Sequence, residues 1–158
     1  MHTPAKPNAL AVSERSIVLI SSIAAFVVQL DGSALNVALP AVGQSFDISL
    51  SSLQWVANSY ALAYACLLLA AGATSDRFGA RRVFVWGYGE FLAASVLCAT
   101  SFNPALLILG RALQGAGGSI LVPSSLSLIN HACADAPARR MRAISFWTAS
   151  GGVAVTVG

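Results

Sequence analysis

The chain has 158 residues, of which 56% are hydrophobic and 9% are charged, and its formal net charge is +3. Because soluble domains carry about 25% charged residues, this composition excludes an ordinary soluble fold. The charged residues fall in short islands between long apolar runs, so the basic residues are interpreted as signals of membrane topology rather than as a surface for nucleic acid.

The apolar runs predict an all-α fold, a polytopic transmembrane helical bundle. Residues 1–15 have no apolar period and are predicted to form a cytosolic tail; a signal peptide is the alternative, against which the length of the next apolar run argues. At a rise of about 1.5 Å per residue, about 20 residues cross the hydrocarbon core. Residues 16–158 are therefore predicted to form the membrane bundle, with helices at about 17–38, 53–74, 83–102 and 105–129 and an incomplete fifth helix at 143–158.

The basic residues predict the orientation of this bundle. Cytoplasmic loops retain Lys and Arg, whereas the connections between helices 1 and 2, at residues 40–52, and between helices 3 and 4 contain neither. The N-terminus is therefore predicted to be cytosolic, in a multi-pass protein of the cytoplasmic membrane. The basic residues outside the spans all fall on that side: Lys6, Arg15, Arg77, Arg81, Arg82, Arg139, Arg140 and Arg142.

The sequence carries no pattern that is typical of an enzyme active site. It lacks a phosphate-binding glycine loop after a strand, an HExxH zinc motif and a GxSxG nucleophile motif. Cys66, Cys98 and Cys133 have no metal-ligand spacing and are interpreted as small side chains within the bundle. We therefore expect no enzyme activity, no cofactor and no metal site.

Two charged residues within the spans, Asp31 and Arg111, are predicted to form a pair. A charge at the centre of a membrane helix costs at least about 2.5–3.5 kcal/mol, so it needs an interior partner or a wet cavity. Asp31 lies about seven residues before the outer end of helix 1 and Arg111 about six residues after the outer start of helix 4, so both lie roughly 10 Å deep. Opposite charges at one depth predict a pair beside a cavity; a structural Asp31 satisfied by nearby backbone is the alternative.

The residues around these charges predict which helix faces point inward. Helix 1 has polar side chains on opposite faces, which predicts a central position for that helix. On helix 4, Arg111, Gln114, Gly115 and Gly118 fall within about 80 degrees of one another, so this stripe should also face the interior.

Three other features are interpreted as structural or are given no role. Pro40 is predicted to end helix 1. Tyr60 and Tyr64 of helix 2 could stack on an aromatic ligand, but packing is the favoured interpretation. Glu90 lies within helix 3 without an evident partner, so no role is predicted for it.

Four segments resemble signatures of the major facilitator superfamily, and in particular of its fourteen-helix drug:proton antiporters. The segment GATSDRFGARRVF at residues 72–84 is similar to the loop signature between helices 2 and 3, although Thr74 and Ala80 depart from it. The segment LILGRALQGAG at residues 107–117 is similar to the helix 4 signature. LDGSALNVALP at residues 30–40 and LQWV at residues 53–56 resemble segments of the antiporter family.

The resemblance implies the N-terminal part of a major facilitator fold that exports drugs or other amphipathic small molecules in exchange for protons. Its expected partners are a drug-like small molecule, protons, the lipid bilayer and a C-terminal half that this sequence lacks. A proton-coupled uptake carrier of the same superfamily and a small structural or regulatory membrane protein are the alternatives.

The resemblance also implies roles for individual residues. It assigns proton coupling to Asp31 and Arg111. Residues of the loop between helices 2 and 3 are implied to gate the conformational change: Gly72, Asp76, Arg77, Gly79, Arg81 and Arg82. Polar and small residues of the inward faces are predicted to line the substrate cavity: Gln114, Gly115, Gly118, Asn36 and Asn58.

Overall fold

The computed structural model describes residues 14–157, which form five helices joined by short connections. This part of the chain contains no β-strand, which confirms the predicted all-α fold. Residues 1–13 of the predicted cytosolic tail lie outside the described residues. The helices are α1 (Glu14–Phe46), α2 (Leu50–Phe78), α3 (Ala80–Ala99), α4 (Pro104–Ala132) and α5 (Pro137–Val157).

Four of these helices, α1 to α4, are long and apolar enough to cross a membrane. Large apolar side chains cover their outer surface; Leu69 is 87% exposed and Trp86 is 79% exposed. Such exposure is unfavourable in water but ordinary against lipid tails, which are themselves apolar. The chain is therefore a multi-pass membrane protein.

Helix α1 continues through Pro40 to Phe46, so the proline lies inside the helix rather than at its end. Membrane helices tolerate an internal proline because neighbouring groups satisfy the freed backbone carbonyls. The connection to α2 is then short: Asp47 has a positive φ of 47°, and the Ser49 side chain caps α2 by accepting from the Ser52 backbone N–H. The segment at residues 40–52, predicted as a connection, is therefore mostly helical.

Helices α2 and α3 meet at a single residue, Gly79. Its φ of +89° is a conformation in which a side chain would be strained, so glycine allows the two helices to follow each other directly. The loop signature at residues 72–84 is consequently almost wholly helical. Helix α5 also begins before its predicted start at residue 143, because Pro137 suits the first position of a helix.

Helix α4, rather than α1, is the centre of the described bundle, since twelve of its residues are buried against five of α1. Two glycines let neighbouring helices approach it closely. A Cβ at Gly117 would lie 2.9 Å from the backbone nitrogen of Phe91 on α3, and a Cβ at Gly115 would collide with the carbonyl oxygen of Tyr60 on α2. Small residues at such contacts are the usual way for membrane helices to pack.

Candidate functional site

The structure brings Asp31 of α1 and Arg111 of α4 together as an ion pair. The Arg111 Nη1 donates to the Asp31 Oδ2 at 2.6 Å, and the two side chains are 4% and 20% exposed. The pairing that charge and depth predicted is thus present. Because a lone charge within a membrane span is costly, each residue stabilises the other.

Gln114 completes this pair one turn along α4. Its Nε2 donates to the Asp31 Oδ1 at 2.9 Å, while its Oε1 accepts from the Arg111 Nη1 at 2.7 Å. The guanidinium nitrogen therefore contacts one oxygen of the carboxylate, and the amide nitrogen contacts the other. The Asp31 carboxylate is held from two sides by donors, which is the arrangement that an ionised carboxylate requires.

Helix α3 contributes two further polar side chains, Ser95 and Cys98. The Gln114 Nε2 also donates to the Ser95 Oγ at 2.9 Å, and the Cys98 Sγ donates to the Gln114 Oε1 at 3.3 Å. The polar network therefore spans three helices. Neither Ser95 nor Cys98 was predicted as a site residue, because each lies in an apolar run without a recognisable motif.

An aromatic ring of α2 packs against the guanidinium of the arginine. The guanidinium carbon of Arg111 lies 4.4 Å from the centroid of the Tyr60 ring, and the Tyr60 and Tyr64 rings stack with centroids 6.1 Å apart. A cation over an aromatic face is attracted by the ring, more strongly where water is excluded. Tyr60 was interpreted as a packing residue, and the structure places it directly against the charge.

A cavity of about 310 Å³ opens beside the ion pair. Its walls combine the polar network with aliphatic side chains of α1 and α4, which gives one charged end and apolar sides. Such a mixture is typical of small-molecule sites. The lining residues are Asp31, Ala34, Leu35, Ala38, Ser95, Cys98, Leu107, Arg111 and Gln114.

Of the residues predicted to line a substrate cavity, only Gln114 lines this one. Gly115 and Gly118 instead face α2, where a Cβ at either would meet Tyr60. Asn36 and Asn58 are exposed, and the Asn36 amide donates to the Gly32 carbonyl oxygen of its own helix at 3.5 Å. A substrate-cavity role for these four residues stays a prediction, since none of them lines the cavity beside Asp31.

The predicted gating residues gather where α2 meets α3 but do not form ion pairs with one another. Asp76 and Arg77 are exposed at the end of α2, and Arg81 and Arg82 are exposed at the start of α3. Within residues 14–157 the ion pairs are Arg111 with Asp31 and the exposed Arg139 with Glu14. The charged cluster is therefore exposed and makes no ion pair within the described residues.

Comparison with known proteins gives a consistent family. The sequence profile of the Major Facilitator Superfamily matches residues 21–158. Over 85% of its length the chain is 39% identical to the methylenomycin A resistance protein of Bacillus subtilis and covers 28% of that protein. Over 89% of its length it is 36% identical to the multidrug efflux pump LfrA of Mycolicibacterium smegmatis and covers 28% of that pump.

A third relative is the puromycin resistance protein pur8 of Streptomyces alboniger, with 40% identity over 85% of the chain. The chain covers 27% of pur8. It thus spans little more than a quarter of the length of the curated relatives that it matches.

Proposed function

This chain belongs to the major facilitator superfamily, and from that premise we propose that it is the N-terminal part of a proton-coupled exporter of drug-like, amphipathic small molecules. Export is favoured over uptake because the relatives carry names of resistance, export and efflux proteins. The proposed role is transport rather than catalysis, because the polar network is suited to binding and releasing a proton. The proposed location is the cytoplasmic membrane with a cytosolic N-terminus.

The observation that carries this proposal is the ion pair between the partly buried Asp31 and the buried Arg111 beside a cavity. While Asp31 is ionised, Arg111 neutralises it and the cavity can receive a substrate. A proton arriving from outside binds the carboxylate, removes its charge and releases Arg111 and the substrate. Loss of that proton to the cytosol restores the ion pair for the next cycle.

The cavity walls suggest the class of substrate. The pair of Asp31 and Arg111 supplies polar surface, while Leu35 and Leu107 supply apolar surface. An amphipathic compound, with a polar group and an apolar body, fits both features. Transporters of this kind bind substrate near the midplane between two halves, so this bundle supplies one wall of the proposed site.

The charged cluster between α2 and α3 is proposed to gate the conformational change. Asp76 and Arg77 lie at one helix end and Arg81 and Arg82 at the next, all exposed. Charges at helix ends interact with the helix dipoles and can exchange partners at low cost. Contacts with the C-terminal half of the transporter would then form in one state and break in the other.

The proposal is tested by expressing the complete reading frame that contains this chain in a drug-sensitive bacterial host. We expect lower accumulation of ethidium, a lipophilic fluorescent cation, than in cells with an empty vector. A protonophore should abolish the difference, because it removes the proton gradient. Higher accumulation in the expressing cells would favour uptake, and an efflux that survives the protonophore would exclude proton coupling.

The proposed orientation predicts which positions a membrane-impermeant thiol reagent reaches. After Cys66, Cys98 and Cys133 are replaced by Ala, single cysteines at positions 47 and 103 should be labelled in intact cells. These positions lie in the connections that follow α1 and α3. A cysteine at position 140, in the first turns of α5, should be labelled only after permeabilisation. The reverse pattern would overturn the topology.

A further inference from the structure

Gln114 joins three helices through one buried amide, with its side chain 3% exposed. Its nitrogen donates to Asp31 of α1 and to Ser95 of α3, and its oxygen accepts from Arg111 and Cys98. All hydrogen-bonding positions that such an amide offers to close neighbours are thus in use. The side chain cannot rotate without breaking several of these contacts.

The partners of the amide also determine which of its ends is the nitrogen. The Ser95 hydroxyl donates its only hydrogen to the Phe91 carbonyl oxygen at 2.8 Å, so toward Gln114 it can only accept. The NH₂ end must therefore face Ser95, and the same end faces the Asp31 carboxylate. A reversed amide would place its oxygen against the carboxylate, so that two acceptors meet. It would also place its NH₂ against the Arg111 guanidinium, so that two donors meet.

This fixed orientation distinguishes the two carboxylate oxygens of Asp31. The Oδ1 accepts from the Gln114 N–H, and a proton there would weaken that bond, because a hydroxyl oxygen is a poorer acceptor than a carbonyl oxygen. The Oδ2 accepts from the Arg111 Nη1, which belongs to a long side chain that can move away. While Gln114 stays in place, protonation of Oδ2 is therefore favoured over protonation of Oδ1, because it keeps the Gln114 hydrogen bond to a carbonyl oxygen.

We propose that Gln114, oriented by Ser95, is a positioning residue that directs the transported proton to the Asp31 oxygen held by Arg111. This inference rests on the proposed function, in which Asp31 carries the proton. Proton and arginine then compete for one oxygen, so binding of the proton breaks the contact with Arg111. The proton arrives from the outer solution and leaves to the cytosol. The O–H bond at Asp31 is the only covalent bond that forms and breaks in this step.

Infrared spectroscopy of the purified full-length protein tests this inference, with the proton itself as the probe. Acidification should produce a carboxylic acid C=O band that is absent in Asp31→Asn. If the proton is on Oδ2, then Oδ1 is the carbonyl oxygen and its band is lowered in frequency by the Gln114 N–H. Gln114→Met, which keeps the side-chain length without hydrogen bonding, should move the band to higher frequency.

Three further variants separate this role from a general packing effect. Ser95→Ala should shift or broaden the same band, because the amide loses the contact that orients it. Ser124→Ala is its matched control, since the buried Ser124 hydroxyl donates only to backbone carbonyls of its own helix, and the band should not move. Gln29→Met, at an exposed position of α1, should likewise leave the band unchanged.

The outcomes distinguish this inference from the proposed function. A band that is present in the wild type and unmoved in both Gln114→Met and Ser95→Ala would overturn the positioning role while leaving Asp31 as the proton carrier. Acid-induced C=O bands that are identical in the wild type and in Asp31→Asn would overturn the proposed function itself. A band that shifts in Ser124→Ala as much as in Ser95→Ala would show that the effect is one of packing.

Discussion

Replacement of Asp31 by Asn in the full-length transporter is expected to abolish drug transport driven by a pH gradient. Asparagine has nearly the same shape, and its side-chain oxygen can still accept from Arg111, but it binds no proton at physiological pH. The variant should therefore insert and retain some substrate binding while accumulation in inverted membrane vesicles falls to the level of vesicles without the transporter. Uptake of a fluorescent drug after an imposed pH step measures this directly.

Three matched variants make the result specific. Asp47→Asn is the control for a carboxylate outside the cavity, because Asp47 is exposed and asparagine tolerates its positive φ. Arg111→Lys should give a partial defect, since lysine keeps the charge but loses the planar group that bonds Asp31 and Gln114 together. If Asp31→Asn transported at the wild-type rate, Asp31 would be structural, and Glu90→Gln would show whether the carboxylate within α3 carries the proton.

The substitution Gly115→Ala is expected to destabilise the bundle by about 1–3 kcal/mol, as overpacking of a tight core does. Its new Cβ would collide with the backbone of Tyr60, which cannot move aside as a flexible side chain could. Gly89→Ala is the control, because nothing lies within 4 Å of a Cβ there. Thermal unfolding of the purified proteins should show a lower midpoint for the Gly115 variant only; equal midpoints would contradict the close contact of α2 with α4.

Sequence reasoning identified the family and the ion pair because both depend on features that a sequence displays. The motifs at residues 72–84 and 107–117 are local, and the cost of a charge in lipid makes Asp31 and Arg111 conspicuous wherever they lie. Helix depth could also be estimated from the apolar runs. The rise per residue is fixed, so counting from the membrane surface places both residues at the same level.

Rotation of one helix against another could not be predicted in the same way. The inward stripe of α4 included Gly115 and Gly118, but only the packing shows that these glycines meet α2 while Gln114 meets the cavity. Tyr60 carries no sign in the sequence that its ring lies against Arg111. The prediction that Pro40 ends helix 1 was wrong for a related reason. Proline ends helices in water more often than in a membrane bundle.

The gating role of the charged cluster stays a prediction. Asp76 and the neighbouring arginines are placed at the ends of two helices that share Gly79. Their exposure is what a contact with a second domain requires. The cavity beside Asp31 is the more specific feature, because a partly buried carboxylate that two donors orient has no comparable explanation from topology.

The most direct test of the central claim is whether substrate and proton displace each other at Asp31. Purified full-length transporter in weakly buffered detergent solution is first protonated, and a drug identified in the accumulation assay is then added while the solution pH is recorded. The wild type should release protons on drug binding, and Asp31→Asn should release none although it still binds the drug. Equal proton release by the two proteins would contradict the assignment of Asp31 as the site that proton and substrate share.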